Sequence, residues 1–383
     1  MKKSNKKVLL LSYRLGYDSL LYWDKMLSGI KDSFENFKVY TAWPSLKTKN
    51  DLVVTEEKLK GIKYYHNRDK ISQRLIYIPF PFFILDILRY KPNIIILNEF
   101  NLVNFYVILF KFLYKDTKLL LLVESDPGVG NKIFKKKTIR YYYRKFITKR
   151  IDLIQTNNQL GMNYLTKYLD IDSKKIIVAP YLTSSPDKID SNITKELNKT
   201  SKIKFLYVGQ IVERKGLSLF LNALNSLPSS IKELLEVDII GSGKLLEELK
   251  EFVLDKKLEF IHFHGKLPFE ELSKFYYLAD CFVLPTLHDY RALVGFEALS
   301  YGCALIDSKY NGARFEAVEE NTNGFIIDPN NIEDFQIAIT RITTDEKLRE
   351  TFKSNSLKKS IQYTYEKCNQ NITKSIERLI NEK

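Results

Sequence analysis

The sequence predicts an α/β protein built from two Rossmann-like, doubly wound parallel sheets. Short apolar runs alternate with amphipathic stretches along almost the whole chain, and eleven such runs exceed what one ordinary doubly wound sheet holds. A polar segment near the middle divides the runs into two groups. At 383 residues the chain is long enough for two domains with separate cores.

The predicted strands are continuous apolar runs that end at polar or glycine residues. They cover 7–12, 93–99, 118–124, 153–157, 175–180, 204–209, 236–241, 259–265, 281–286, 304–308 and 324–328. Helical patterns such as "GLSLFLNALNSL", "GKLLEELKEFVL" and "PFEELSKFYYLAD" lie between them. Buried strands joined by helices indicate parallel sheets that are covered on both faces.

The domain boundaries follow from composition. Residues 1–185 and 204–362 each form a domain, and 186–203 form a linker that is polar, contains Pro186 and has few large apolar residues. Ligands of doubly wound sheets bind beyond the carboxyl ends of the strands, so we expect the site in a cleft between the two domains.

Composition excludes a membrane-spanning or disulfide-rich protein. The longest apolar stretches are too short or too interrupted to span a bilayer, and the apolar run after the basic start "MKKSNKK" is too short for a secretory signal. Cys281, Cys303 and Cys368 are widely spaced, which predicts buried or inert thiols in a reducing compartment.

Positive charge is concentrated in the first half of the chain. Residues 1–200 contain 36 Lys or Arg against 19 Asp or Glu, whereas residues 201–383 contain 24 against 27. The first half is therefore expected to meet an anionic partner, either nucleic acid or an anionic membrane surface.

The segment 131–150, "NKIFKKKTIRYYYRKFITKR", has nine basic residues and no acidic one. At helical spacing one face is apolar and is expected to lie on the sheet, while a cationic row occupies another face and suits anionic lipid. The apolar face contains Ile139, Tyr142, Tyr143 and Phe146, and the row contains Lys136, Arg140 and Arg144.

Two strand-to-helix turns of the second half have residues suited to a phosphate. In "YVGQIVERKG", Gly209 ends a strand and the cations Arg214 and Lys215 precede a helix, which is a plausible diphosphate cradle. In "IIGSGKLLEEL", Gly241 and Gly243 would let the backbone approach a ligand closely.

Two further turns follow strands of the same half. "HFHGKLPFEEL" supplies His264 and Lys266, for which a solvated loop is the favoured interpretation. "HDYRALVGFEALSYG" places Asp289 before a helix and Glu297 on its first turns. Taken alone, these acids are equally consistent with partners of the helix dipole and with a ligand site.

In order and spacing these segments resemble the retaining glycosyltransferases of family 4, also called glycosyl transferases group 1. The resemblance is strong over residues 204–330, whereas the first half resembles the family only in its rhythm of strands and helices. It is carried by Gly209-Gln210, Lys215-Gly216, Gly241-Ser242-Gly243, Asp289, Glu297-Ala298, Gly302 and "NGARFEAVEENTNGFIIDP". It implies the GT-B architecture, with two Rossmann-like domains facing across a cleft and residues 363–383 forming a helix that crosses back to the first domain.

The resemblance implies specific roles in the second domain. Glu297 would bind the ribose of a UDP- or GDP-sugar, Asp289 would face the donor sugar, and Lys215 would neutralise the diphosphate together with N–H groups at Ala292 and Leu293. The remaining residues implied at the nucleotide are Gly209, Gln210, Arg214, Gly241, Gly243, His264 and Lys266. No metal and no cofactor is expected.

Three positions depart from the family pattern. Asp289 stands where the family has Glu, and Gln210 stands where it has Arg. Arg291-Ala292 replaces an aromatic-glycine pair, and Arg291 is interpreted either as an extra phosphate ligand or as a surface charge.

The first domain would hold the acceptor. Its opening loop contains Gly16 and Tyr17, which would line a pocket, and Glu124 stands where many members have His. Glu124 is interpreted either as orienting the acceptor hydroxyl or as capping the next turn.

The sequence therefore predicts a retaining, metal-independent hexosyltransferase that acts on a saccharide or lipid-linked saccharide at the inner face of the cytoplasmic membrane. The alternative is a non-catalytic, sugar-nucleotide-binding subunit of a transferase complex. Nucleic-acid binding is not expected, because it does not explain the residues of the second half.

Overall fold

The computed structural model describes residues 3–12, 21–41, 56–69, 72–124, 138–184 and 201–382. They form two compact units, each with its own sheet. The first unit contains the described residues up to 124 together with 138–182 and 365–382, and the second contains 183–184 and 201–364. The predicted fold class of two Rossmann-like sheets is confirmed.

The strands of the first unit are β1 (Ser4–Ser12), β2 (Phe34–Thr41), β3 (Glu56–Lys58), β4 (Gly61–Asp69), β5 (Ser72–Pro79), β6 (Ile94–Asn98), β7 (Lys118–Val123), β8 (Leu153–Thr156) and β9 (Ile176–Val178). Its helices are α1 (Leu21–Ser33), α2 (Phe83–Tyr90), α3 (Leu102–Leu109), α4 (Ile139–Thr148) and α5 (Gln159–Lys167), with the last helix of the chain, Tyr365–Asn381, added.

Seven of these strands form one parallel sheet in the order β3-β2-β1-β6-β7-β8-β9, and β4 and β5 form a separate antiparallel hairpin. The strands β6, β7 and β8 are buried almost throughout, as their continuous apolar runs predict. The last helix packs against α1, β6, β7 and β8.

The sequence prediction missed β2, β3 and the hairpin. The strand β2, "FENFKVYT", mixes polar residues among the apolar ones, and its first half is only partly buried. A search for continuous apolar runs therefore passes over it.

The strands of the second unit are β10 (Ile203–Val208), β11 (Leu235–Ile240), β12 (Ile261–Gly265), β13 (Cys281–Leu284), β14 (Ala304–Ser308) and β15 (Gly324–Ile327). Its helices are α6 (Leu217–Asn225), α7 (Ser229–Lys232), α8 (Leu246–Asp255), α9 (Phe269–Leu278), α10 (Val294–Ser300), α11 (Arg314–Ala317), α12 (Ile332–Thr344) and α13 (Glu346–Ser360); the last helix of the chain becomes α14.

All six strands of the second unit are parallel, in the order β12-β11-β10-β13-β14-β15. Two apolar clusters lie on the sheet, one with α6, α8 and α12 and the other with α9 and α10. The chain runs outward from β10 through β11 to β12 and then returns to place β13 on the other side of β10. The edge beyond β10 and β13 is therefore a topological switch point, where doubly wound sheets bind ligands.

Two expectations from composition can be checked in the described residues. None of their helices is long and apolar enough to cross a membrane. Cys281, Cys303 and Cys368 are free thiols and all three are buried, as expected.

Candidate active site

Two loops meet at the switch point of the second unit. One follows β10 and the other follows β13, and their backbones bind each other directly. The carbonyl oxygen of Arg214 accepts hydrogen bonds from the Leu287 N–H at 2.8 Å and from the Thr286 hydroxyl at 3.0 Å. The loop with the predicted cations thus lies beside the loop with Asp289.

Lys215 and Asp289 form an ion pair at this junction. The Lys215 Nζ donates to Asp289 Oδ2, and both side chains are largely buried, with 13% and 14% exposed. The Arg214 Nη1 lies 3.6 Å from the same oxygen, and its Nη2 donates to Gln210 Oε1 at 3.0 Å. The structure therefore brings Asp289, Lys215, Arg214 and Gln210 together. In this group the two cations, Lys215 and Arg214, face the single carboxylate of Asp289.

Gly216 fixes the direction in which the chain leaves this loop. Its φ is +68°, and a Cβ at this position would lie 1.9 Å from the carbonyl oxygen of Pro285. Only glycine meets both constraints without moving the backbone. It follows Lys215 directly and so holds that side chain beside β13.

Glu297 is buried on α10, and both of its carboxylate oxygens accept hydrogen bonds from protein groups. The Tyr276 hydroxyl donates to Oε2 at 2.7 Å, and the Ser184 hydroxyl donates to Oε1. Burial raises the pKa of Glu297, and the two hydrogen bonds oppose that rise. Each carboxylate oxygen can accept a second bond, so a ribose diol would either join or replace these donors.

The helix α10 begins at Val294, directly after Ala292 and Leu293, whose N–H groups are expected to face the diphosphate. The Ala292 N–H points to Asn311 Oδ1 at 3.3 Å, whereas the first intrahelical bond is donated by Gly295 to the Ala292 carbonyl at 3.2 Å. The N–H groups of Leu293 and Val294 therefore have no acceptor within the helix.

Arg291 is neither a surface charge nor placed as a phosphate ligand. Its guanidinium is buried and donates to both oxygens of Glu316, with Nη2 to Oε1 at 2.9 Å and Nε to Oε2 at 3.1 Å. It also lies 4.3 Å from the ring centre of Phe296. Neither alternative drawn from the sequence describes this buried pair.

Gly241 and Gly243 are needed for packing between loops. A Cβ on Gly241 would lie 1.8 Å from the carbonyl oxygen of Gly209, and one on Gly243 would lie 2.1 Å from that of Ile211. Both glycines thus admit the backbone of the β10 loop. They support this loop from the β11 side.

His264 and Lys266 lie at the end of β12. His264 is exposed, as the favoured interpretation expected, while its Nε2 is 2.6 Å from Asp238 Oδ1 and its ring packs on Phe275 at 4.7 Å. Lys266 is exposed, as that interpretation expected.

Glu124 follows β7 at the carboxyl edge of the first unit's sheet. Its N–H donates to Glu99 Oε1 at 2.6 Å. Burial and the nearby Glu124 charge raise the pKa of Glu99 to about 7. Glu99 follows β6 and was not among the predicted site residues, because the first half resembles the family only in its rhythm of strands and helices. Gly16 and Tyr17 lie outside the described residues.

The helix α4 differs from its prediction. Tyr143 and Phe146 pack on the core, but Ile139 is 90% and Tyr142 58% exposed. Arg144 turns inward, where its Nη1 donates to the Tyr164 hydroxyl at 2.6 Å. Apolar and aromatic side chains are therefore exposed on this basic helix, and Lys136 lies outside the described residues.

Comparison with known proteins agrees with this fold. Anabaena HepE, solved in complex with UDP, superposes with a TM-score of 0.75 at 15% sequence identity, covering 97% of this chain and 100% of HepE. An uncharacterized glycosyltransferase of Methanocaldococcus jannaschii is 26% identical over 239 residues, which are 60% of this chain and 66% of that protein. The chain thus spans about two thirds of that relative's length.

A third relative has a named activity. The UDP-Gal:α-D-GlcNAc-diphosphoundecaprenol α-1,3-galactosyltransferase of Escherichia coli is 27% identical over 250 residues, covering 59% of this chain and 61% of that enzyme. Residues 188–359 match the family described as glycosyl transferases group 1. This segment contains the Lys215–Asp289 pair and Glu297, so the part of the chain that resembles the glycosyl transferases group 1 is the part that forms the candidate site.

Proposed function

We propose that this protein is a retaining glycosyltransferase that moves a hexose from a UDP- or GDP-sugar to a saccharide or lipid-linked saccharide during glycan assembly. The observation that carries the proposal is the junction where Lys215 and Arg214 face Asp289. The UDP bound by Anabaena HepE and the donor and lipid-linked acceptor in the name of the Escherichia coli relative support the substrate classes.

The residues at the junction suit departure of a nucleoside diphosphate. Breaking the bond between the anomeric carbon and the phosphate oxygen places negative charge on the diphosphate, and fixed cations stabilise such charge without reorganisation. In this proposal the phosphates replace Asp289 as the partner of Lys215. The Asp289 carboxylate is then released to accept hydrogen bonds from hydroxyls of the donor sugar.

Attack on the same face of the sugar explains how the anomeric configuration would be retained. The acceptor hydroxyl attacks on the face from which the diphosphate leaves, and the departing phosphate oxygen takes the hydroxyl proton. The new bond to the acceptor oxygen forms as the bond to phosphate breaks, so no protein base is required. Lys215 and Arg214 supply the positive charge that a divalent metal would otherwise provide, and we therefore propose a metal-independent reaction.

The test compares two ion pairs in the same unit. Lys215 and Lys204 are equally buried, and Lys204 pairs with Glu236 at 3.1 Å at the opposite, amino end of β10. We expect Lys215→Ala to reduce turnover of the accepted UDP- or GDP-sugar on the order of 10²–10³-fold. We expect Lys204→Ala to keep wild-type turnover. Release of nucleoside diphosphate, with and without EDTA, is the measurement.

Three outcomes would count against the proposal. Equal turnover by the Lys215 and Lys204 variants would remove the role of the junction, and inhibition by EDTA would remove metal independence. Binding of nucleotide without turnover, with any donor or acceptor extract, would favour the non-catalytic subunit.

We also propose that the protein lies peripherally on the inner face of an anionic membrane through its first unit. The helices α2, α3 and α4 pack into one core cluster and so cover the same sheet face. The exposed side chains on these helices include Leu109, Ile139 and Tyr142, and Phe82, directly before α2, is exposed as well. Exposed apolar groups beside the cations of α4 are typical of surfaces that enter the lipid headgroup region.

A further inference from the structure

In addition to its contacts with the β10 loop, the loop that presents Asp289 is held by residues 307–316. The Gly312 N–H donates to the Asp289 carbonyl at 2.9 Å, and a Cβ on Gly312 would lie 1.8 Å from the Tyr290 carbonyl. Glu316 of the same segment accepts the Arg291 guanidinium. Side chain and backbone contacts thus join this segment to the loop at three successive residues.

Asn311 makes the central contact. It is fully buried, and its Oδ1 accepts the N–H groups of Ala292 at 3.3 Å and Ala313 at 3.1 Å. Its Nδ2 donates to both oxygens of Asp307, at 3.1 and 2.8 Å. Asp307 is also buried and accepts the N–H of Ser308 at 2.7 Å. The amide of Asn311 can therefore turn in neither direction without losing hydrogen bonds.

A buried carboxylate is costly, because its ionised form loses the solvation of water. Here burial raises the pKa of Asp307, and the hydrogen bonds from Asn311 and Ser308 oppose that rise. An apolar pair would fill the same space, but it would not fix the Ala292 N–H. The polar pair instead fixes the backbone between Asp289 and the first turn of α10.

We propose that Asp307 and Asn311 are positioning residues for sugar transfer, which hold the loop 289–292 so that Asp289 and the start of α10 meet the donor together. This inference rests on the proposed function, because it assigns these residues to the same site. They touch no donor atom themselves and act through the backbone of the loop.

The test uses a second buried asparagine as its control. Asn323 is equally buried, donates to the Ala317 carbonyl at 2.9 Å and accepts the Glu319 N–H at 2.7 Å, so it holds a different loop of the same unit. Amide hydrogen exchange of peptides covering 288–294 is measured for Asn311→Ala and Asn323→Ala. We expect faster exchange there in the Asn311 variant alone.

Activity is measured on the same proteins at a temperature where both are folded. We expect Asn311→Ala to lower kcat for donor turnover on the order of 10- to 100-fold, because small misplacements of reacting groups cost this much. Asn323→Ala should keep the wild-type value. The double variant Asp307→Asn with Asn311→Asp swaps the two side chains and again places one amide donor opposite one carboxylate. It should therefore recover much of the lost kcat, whereas Asn311→Asp by itself should recover none.

The outcomes separate the two proposals. A wild-type protein that turns over no sugar nucleotide would defeat the proposed function, while exchange at 288–294 would still show whether Asn311 fixes the loop. An active wild type whose two asparagine variants behave alike, in exchange and in kcat, would overturn the role of Asn311. If the double variant Asp307→Asn with Asn311→Asp is no more active than Asn311→Asp, the role of Asp307 is overturned.

Discussion

At the scale of single residues, Glu297 is the side chain to which the family resemblance assigns the ribose of the nucleotide. Its two oxygens are occupied by hydroxyl groups of Ser184 and Tyr276, and hydroxyls are also what a ribose would offer. Ser184 is 113 residues away from Glu297 in sequence, whereas Tyr276 belongs to α9, which packs in the same apolar cluster as α10. If the ribose replaces this donor instead of joining it, the Ser184 hydroxyl competes with the ribose for Glu297 Oε1.

This contact predicts that Ser184→Ala binds nucleoside diphosphates more tightly. Without the serine hydroxyl, a ribose hydroxyl meets the Glu297 oxygen without displacing a competitor, so we expect about tenfold tighter binding, equivalent to ~1.4 kcal/mol. Titration calorimetry with UDP and GDP measures the change.

The neighbouring Thr183 provides the control. Its hydroxyl is buried and donates to the Tyr363 carbonyl at 2.6 Å, without touching Glu297. Thr183→Ala should leave nucleotide affinity unchanged. Weaker binding by Ser184→Ala would mean that the serine assists the carboxylate rather than competing for it.

At the scale of elements, the loops of the second unit are assembled by direct backbone contact. Gly243, after β11, lies against the Ile211 carbonyl of the β10 loop, and the Ile211 N–H donates to the Ser242 carbonyl at 2.9 Å. The turn after β11 and the loop containing Lys215 therefore form one layer. The absence of a side chain at Gly243 allows the loop that contains Ile211 to lie this close.

Substitution of Gly243 should accordingly destabilise the second unit. A Cβ there would overlap the Ile211 carbonyl at 2.1 Å, so we expect Gly243→Ala to lower the free energy of unfolding by roughly 1–3 kcal/mol. Gly295 is the matched control, because a Cβ there would meet Ala317 at an ordinary 3.8 Å and alanine favours a helix. Thermal unfolding of both variants checks this, and equal melting temperatures would contradict it.

At the scale of the whole molecule, the uneven charge and the exposed apolar side chains of α4 lead to a prediction about the proposed membrane surface. We expect wild-type protein to sediment with vesicles containing anionic phosphatidylglycerol, and less so at high salt because exposed charges are screened. The double variant Ile139→Ser with Tyr142→Ser should bind several-fold less, since it removes two apolar groups that are 90% and 58% exposed.

The second unit offers a matched pair of exposed apolar residues. Leu254 and Ile337 are 80% and 60% exposed, and they lie in the unit without excess positive charge. Their replacement by serine should leave vesicle binding unchanged. Equal losses in both double variants, or binding to nucleic acid in place of vesicles, would contradict the proposed surface.

Much of the fold was predictable because buried parallel strands are continuous apolar runs. All eleven predicted runs are strands, and the missed β2 mixes polar with apolar residues without a regular alternation. The Lys215–Asp289 junction was also predictable in outline, since both residues follow strands and parallel strands end at one edge.

The rest of the site depends on partners that no local pattern joins. Ser184 and Glu297 are 113 residues apart, and Tyr276 occurs in an ordinary amphipathic helix. Asn311 and Asp307 are near each other in sequence, but their partner Ala292 is not. Neither interpretation of Arg291 from the sequence describes its place in the structure, because its partner Glu316 lies 25 residues away and is brought next to it only by the fold.

The position of α14 in the chain affects the order in which the two units can complete their folding during synthesis. This helix buries Cys368, Ile372, Ile376 and Leu379 and belongs to the first unit, although its residues follow the whole second unit. During translation the second unit therefore has all its residues before the first does. Ribosome-bound chains that stop short of residue 365 would leave the first sheet without one of its covering helices, an apolar surface that a chaperone would recognise.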